Sequence, residues 1–223
     1  MSTWFDAEFV CPACQTSFIT RLARGVNIGR APELRTRALR GELNQPRCTA
    51  CNAVIVPDVP LVYSDPSRGE WVVVAQPSDL ATWRQSEAVA LAGLRTTIGT
   101  ASPALPTARL RVVFDIDELR EKLVIWEAGL DDGVVECIKL ACLREMPAIC
   151  ERGERIRALD LSDPSLIAFG AAPAGRPRHV RTRWSAPRTL ADVETYRERF
   201  PDLFAPGFVS LDRYFSDGSS LPG

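Results

Sequence analysis

Cys11-Pro12-Ala13-Cys14 and, after a gap of 33 residues, Cys48-Thr49-Ala50-Cys51 are the stretches on which the fold turns. Each is C-x-x-C, the tightest spacing that lets two thiolates of one turn grip a tetrahedral ion. Two such turns close a four-sulfur shell, and one Zn2+ is the expected occupant. A saturated shell leaves no position for water, so its role is structural rather than catalytic. The gap exceeds the roughly 15–20 residues common between such pairs, and a helix inserted between the turns accounts for it.

Around these turns the chain reads as alternating short strands and one helix. Glu8-Phe9-Val10 leads into the first turn, and Thr16 to Thr20 carries the chain away as a strand. Pro32 to Leu43 is predicted helical, with Pro32 at a first position, Leu34 and Ala38 inward, and Gly41 as a weak point. Asn52, just after Cys51, suits a left-handed backbone. Val54-Ile55-Val56 and Leu61-Val62-Tyr63 read as strands, Asp65 to Gly69 as a turn, and Trp71 to Val74 as the returning strand.

Several further motifs accompany the cysteines: Asn27, Pro32-Glu33-Leu34-Arg35, Gly41-Glu42-Leu43-Asn44 and Pro60-Leu61-Val62-Tyr63-x-Asp65-Pro66. Together with Cys11-Pro12-x-Cys14 and Cys48-x-x-Cys51 they resemble the bacterial CpXC domain proteins. The likeness continues through Arg111-Val112-Val113-Phe114, Glu118 to Lys122 and Ala128 to Asp132, and so spans roughly residues 8 to 140. Thr49 and Asn52 depart from the Pro and Gly commoner in zinc turns, but neither position supplies a ligand. The resemblance implies a zinc-binding domain and assigns it no biochemical role.

Beyond Pro77-Ser78-Asp79 the pattern changes. Asp79 to Leu94 is predicted helical, Gly99 to Pro106 a loop, and Arg109 to Phe114 a strand. Asp115 caps a helix that ends at Gly129, with Ile116, Leu119, Leu123, Trp126 and Leu130 on one stripe and Glu118–Lys122 four apart. A second helix runs from Asp131 or Asp132 to Arg144 with Val134, Ile138 and Ala141 inward, making an αα-hairpin. Arg155 to Leu161, Leu166 to Phe169 and Val180 to Trp184 read as strands around a Ser162-Asp163-Pro164 turn, and Thr189 to Phe200 as a helix. The fold class is α+β: a zinc-ribbon-like N-terminal module over residues 1–77, a mixed helix/sheet domain over 78–215, and a flexible tail over 216–223.

Of the 223 residues 46% are apolar and 25% charged, with a formal net charge of -1, so no global field recruits nucleic acid or an anionic membrane. No run approaches the roughly 20 apolar residues of a membrane span, and the N-terminus lacks a signal-peptide pattern. Reduced cysteines at metal spacing fit the cytoplasm. Cys137, Cys142 and Cys150 read as core residues, Asp131, Asp132 and Glu136 as helix-start acids, and His179, the sole histidine, has no predicted companion. No nucleophile elbow, P-loop or dinucleotide glycine pattern is present. Lys122 and Lys139 are the only lysines in an arginine-rich chain.

Two stretches carry local positive charge. Residues 15–47 hold seven arginines against Glu33 and Glu42, and residues 176–188 hold five arginines and no acid. Arg21, Arg24, Arg35, Arg37, Arg40, Arg181 and Arg183 are the candidate nucleic-acid contacts, since arginine grips phosphate bidentately. Residues 1–77 as a whole nevertheless hold eight arginines and seven acids. The expected function is a non-catalytic, zinc-stabilised module that binds another protein; a nucleic-acid-binding zinc ribbon is the alternative.

Overall fold

Alternation of Phe5, Ala7 and Phe9 with Asp6 and Glu8 draws the start of the chain into an extended strand, β1 (Thr3–Val10). The first cysteine turn folds it back as β2 (Ser17–Asn27), antiparallel, with Phe9 opposite Phe18 and Glu8 opposite Ile19. β2 pairs in parallel with β3 (Leu61–Asp65) through Gly25 to Asn27. Gly69, at φ 68°, supplies the left-handed residue that turns β3 into β4 (Glu70–Val74). β5 (Arg109–Val113) lies parallel to β4, completing a sheet of order β1-β2-β3-β4-β5. Its strands thus come from both sides of residue 77.

The computed structural model describes residues 2–99, 101–145, 155–161, 167–172, 178–182 and 190–216. They divide into two units, Met1–Arg120 and Glu121–Gly223, so helices and strands mix throughout, an α+β chain.

In the first unit the expected helix between the cysteine turns is α1 (Glu33–Leu39), which buries Leu34 and Ala38. It stops short of Leu43 because Gly41, just past the Arg40 cap, takes φ 69°. The strand expected over Val54 to Val56 reduces to a single bridge between Arg47 and Val54. Pro57 and Pro60 follow closely and have no N–H to offer a ladder, and Ile55 N–H goes to Pro46 O at 2.9 Å. α2 (Trp83–Ile98) begins and ends four residues later than its apolar pattern suggests, after a 3-10 turn over Pro77–Thr82. It buries Trp83, Leu91 and Leu94 against β4 and β5.

α3 (Ile116–Glu127) begins in the first unit and ends in the second. Its start is the predicted cap, the Asp115 carboxylate accepting from Glu118 N–H at 2.6 Å, and Gly129 follows at φ 72°. In the second unit α4 (Asp132–Glu145) precedes the antiparallel sheet β6 (Arg155–Asp160), β7 (Ile167–Ala172) and β8 (Arg178–Thr182). α5 (Leu190–Arg199) and the short α6 (Asp212–Ser216) follow among the described residues. α4 departs from the one-faced pattern: every residue from Asp132 to Leu140 is buried, Asp132, Glu136 and Lys139 included. The expected turn over 162–164 and the tail over 217–223 lie outside the described residues.

Candidate metal centre

The two cysteine turns are built alike. Cys11 N–H donates to Thr16 O and Cys48 N–H to Ala53 O, both at 2.9 Å. Gln15 N–H returns to Cys11 O at 2.8 Å and Asn52 N–H to Cys48 O at 2.9 Å. Closing so tight a loop forces the residue after the second cysteine into the left-handed region, and Gln15 and Asn52 both have φ 61°. The turns face each other, with Cys11 Sγ to Cys51 Sγ and Cys14 Sγ to Cys48 Sγ each 3.6 Å and all four sulfurs within 4.8 Å of one another. A tetrahedral ion with metal–sulfur bonds of about 2.3 Å spaces its sulfurs about 3.8 Å apart, so the four sulfurs lie close enough to hold a metal ion.

Cys11 and Cys48 are buried, whereas Cys14 and Cys51 face solvent. Phe18 packs on the buried pair, with Phe9, Ala53 and Ile55 closing around it. Polar groups aim at the sulfurs: Ala50 N–H lies 3.4 Å from Cys48 Sγ, and Thr16 Oγ1 lies 3.3 Å from Cys14 Sγ. The Thr16 side chain and then its backbone N–H pull the Cys14 thiol down to about 6, which favours the thiolate a metal requires. At Cys51 the Ala53 N–H lowers the pKa, but the Cys14 and Cys11 sulfurs and desolvation outweigh it and push the thiol up to about 12. An all-sulfur tetrahedron suits a borderline-soft ion and leaves no coordination position for substrate.

Five of the arginines singled out from sequence have described side chains, on β2 and at α1. Arg21 lies over the Trp4 ring at 5.8 Å and Arg24 over the Phe5 ring at 4.5 Å, both exposed. Arg35 is largely buried: its Nη1 donates to Tyr63 Oη at 2.8 Å, Glu70 Oε2 at 2.9 Å and Asp65 Oδ2 at 3.2 Å. Arg68 and Arg109 also pair with Glu70. Burial pushes the Tyr63 hydroxyl up despite the neighbouring Arg35. Arg37 reaches Glu42 O at 3.1 Å, and Arg40 caps the end of α1 through its backbone. For Arg181 and His179 the backbone is described, in β8, and the side chains are not; Arg183, Arg176 and Arg188 lie outside the described residues.

One cluster was not anticipated. Lys122 and Lys139, the chain's two lysines, are both fully buried. Lys122 Nζ lies 3.2 Å from Glu136 Oε1 and 3.4 Å from Asp132 Oδ2, and donates to Val209 O. Lys139 Nζ lies 2.7 Å from Glu121 Oε1 and 2.8 Å from Glu136 Oε1. Glu136 Oε2 accepts from Leu211 N–H at 3.0 Å, and Asp212 pairs with Arg157 at 2.6 Å and Arg155 at 3.4 Å. Asp131 is a helix-start acid, accepting from Gly133 and Val134 N–H at 2.8 and 3.2 Å, and Asp132 lies in the first turn of α4. Asp132 is at the same time buried beside Lys122, and Glu136, expected to share the helix-start role, is instead a core ion because Lys122 of α3 and Lys139 of α4 meet it there. The signal in the sequence was the use of lysine at two helix positions in a chain that otherwise uses arginine.

Cys137 and Cys142 are buried, as expected of core thiols, and burial followed by Glu136 and Asp131 pushes Cys137 up to about 12. Cys150 lies outside the described residues. Among the described residues no helix is long and apolar enough to cross a membrane.

No curated protein and no solved structure matches the chain. The family model described as CpXC protein matches residues 9–139, from the strand before the first cysteine turn to the middle of α4. The match covers both cysteine turns, strands β2 to β5 and the last two residues of β1. On that coverage the chain belongs to the CpXC protein family.

Proposed function

We propose that the chain is a non-catalytic module, stabilised by one zinc ion in a zinc-ribbon-like site, that binds another protein in the cytoplasm. Zinc is the ion whose chemistry suits a closed four-thiolate shell, and reduced thiolates suit a reducing compartment. One observation carries the protein-binding reading. The metal turn closes the β1–β2 hairpin, and none of the eight residues of β1 is buried although Trp4, Phe5 and Phe9 are aromatic. Val10 and Ile19, on either side of the turn, are 59% and 71% exposed, and exposed apolar surface is what a protein partner covers. The engagement of Arg35 by Asp65 and Glu70, which takes it out of a phosphate-binding face, supports protein over nucleic acid.

Affinity capture on the zinc-loaded chain, scored for protein and nucleic acid together, tests the reading alongside titration with labelled DNA and RNA at about 150 mM salt. The expected result is a saturable protein partner and weak, sequence-independent nucleic-acid binding. Submicromolar nucleic-acid binding that falls steeply with salt, and is lost when Arg21, Arg24, Arg37 and Arg40 become Gln, overturns it.

A further inference from the structure

β1 is an edge strand. It pairs with β2 over its whole length, and no other described strand lies on its outer side. Every other strand of this sheet buries at least two residues, whereas β1 buries none. Its residues alternate between two faces. Phe5, Ala7 and Phe9 form a half-buried apolar row; Asp6, Glu8 and Val10 are exposed on the other face, Val10 with 59% of its surface open. Ile19, opposite Glu8 on β2, extends that second face and is 71% exposed. A long edge strand with exposed apolar side chains at its end, Val10 and the neighbouring Ile19, is a template for one more strand.

The charges say which strand. If a second copy paired antiparallel through its own β1, the registers centred on Asp6, Ala7 or Glu8 would place acid opposite acid, which destabilises a ladder. Phosphate backbones meet the same carboxylates. Arg21 stands opposite Asp6 on β2 but is laid over the Trp4 ring at 5.8 Å, and Glu8 also accepts from Ser17 Oγ at 2.8 Å. The outward acids therefore complement a strand whose alternate residues are Lys or Arg, with its intervening apolar residues covering Phe5, Ala7 and Phe9.

We propose that the outer edge of β1 docks an extended, alternating basic–apolar segment of a partner protein by strand addition. The inference rests on the protein-binding reading and names the class of segment recognised. Backbone hydrogen bonds along the edge supply affinity, and Asp6 and Glu8 set specificity and register.

The test uses the full zinc-loaded chain, isotope-labelled for NMR, and a capped nine-residue peptide alternating Val and Arg. The expected result is saturable binding that shifts the amides of residues 3–10 and slows their hydrogen exchange. Asp6→Lys with Glu8→Lys should weaken binding at least tenfold. A peptide of the same sequence with alternate amides N-methylated keeps the charge but cannot pair, and should bind at least tenfold more weakly. Because that control leaves the protein untouched, it stands whatever the double variant does to folding. Binding indifferent to N-methylation, shifts confined to other elements, or self-association through β1 without peptide would each overturn the proposal. If a captured protein partner is retained while the peptide fails, the edge is wrong and the protein-binding reading survives.

Discussion

Gln15 and Asn52 occupy equivalent places in the two cysteine turns, each at φ 61° and each bonded through its N–H to the carbonyl of the first cysteine of its pair. The left-handed backbone costs a residue with a Cβ about 1–2 kcal/mol, less for asparagine, and more for a β-branched side chain. Gln15→Gly and Asn52→Gly should therefore keep the fold and the metal. Gln15→Val and Asn52→Val should each lower stability by about 1–2 kcal/mol and release metal at a lower chelator concentration. Denaturant midpoints and chelator competition on the four variants check this.

The sulfur geometry predicts one zinc per chain, lost when any of Cys11, Cys14, Cys48 or Cys51 becomes Ser. Removing the metal should unfold the turns and the hairpin they close, because forming such a site and folding are coupled. The triple replacement of Cys137, Cys142 and Cys150 by Ala should leave zinc stoichiometry unchanged. Elemental analysis under reducing, chelator-free conditions decides both points, and a metal-free purified protein would refute the first.

Two helical glycines predict opposite outcomes. A Cβ on Gly133 of α4 would collide with Leu203 O and lie 2.8 Å from the Phe204 ring, so backbone would have to shift. Gly133→Ala should cost about 1–3 kcal/mol. A Cβ on Gly93 of α2 meets nothing within 4 Å, and Gly93→Ala should stabilise by about 0.5–1 kcal/mol through helix propensity. Thermal unfolding of the two variants gives shifts of opposite sign if the packing around α4 is as described.

The metal centre was legible because its chemistry is local: two C-x-x-C turns fix their own geometry, and the left-handed Asn52 follows from the turn. Gln15 in the same role was not read, since glutamine carries no such preference. Strands β3, β4 and β5 announced themselves by composition. Val54 to Val56 misled because its apolar run mimics a strand, while the prolines after it decide the matter. The arrangement of Lys122, Glu136 and Asp212 could not be read at all. Helical spacing places Asp132 and Glu136 on one side of α4, but only tertiary packing brings a cation from α3 and the backbone of residues 209–211 to meet them.

That arrangement makes Lys122 a sharp test. Lys122→Met would leave Glu136 and Asp132 buried with one cation fewer and should destabilise the fold by about 3–5 kcal/mol. Lys122→Arg keeps the charge but forces a larger, planar group into a fully buried position, and should cost about 1–3 kcal/mol. If arginine were tolerated without loss, the reading that burial selects lysine at this site would fail. Chemical denaturation followed by far-UV circular dichroism measures both.

The same ions set the response to acid. Burial alone would raise the Glu136 carboxyl, but Lys139 and then Lys122, with hydrogen bonds from Lys139 and Leu211 N–H, hold it below the usual carboxylate range. Burial likewise acts against Asp212, and Arg157, followed by Arg155 and Lys139, holds it low. A carboxylate depressed in the folded state binds fewer protons there than in the unfolded chain, whose carboxyls titrate near about 4. The stability these two groups contribute is thus fully present above that range and is lost as pH falls through their folded values. Urea midpoints should hold between pH 7 and 5 and drop steadily below about 4. Replacing Asp212 by Asn should flatten that drop while lowering the midpoint at pH 7, because Arg157 then loses the Asp212 carboxylate at 2.6 Å. A midpoint that stays level or rises in acid would mean that Glu136 and Asp212 are not ionised in the fold.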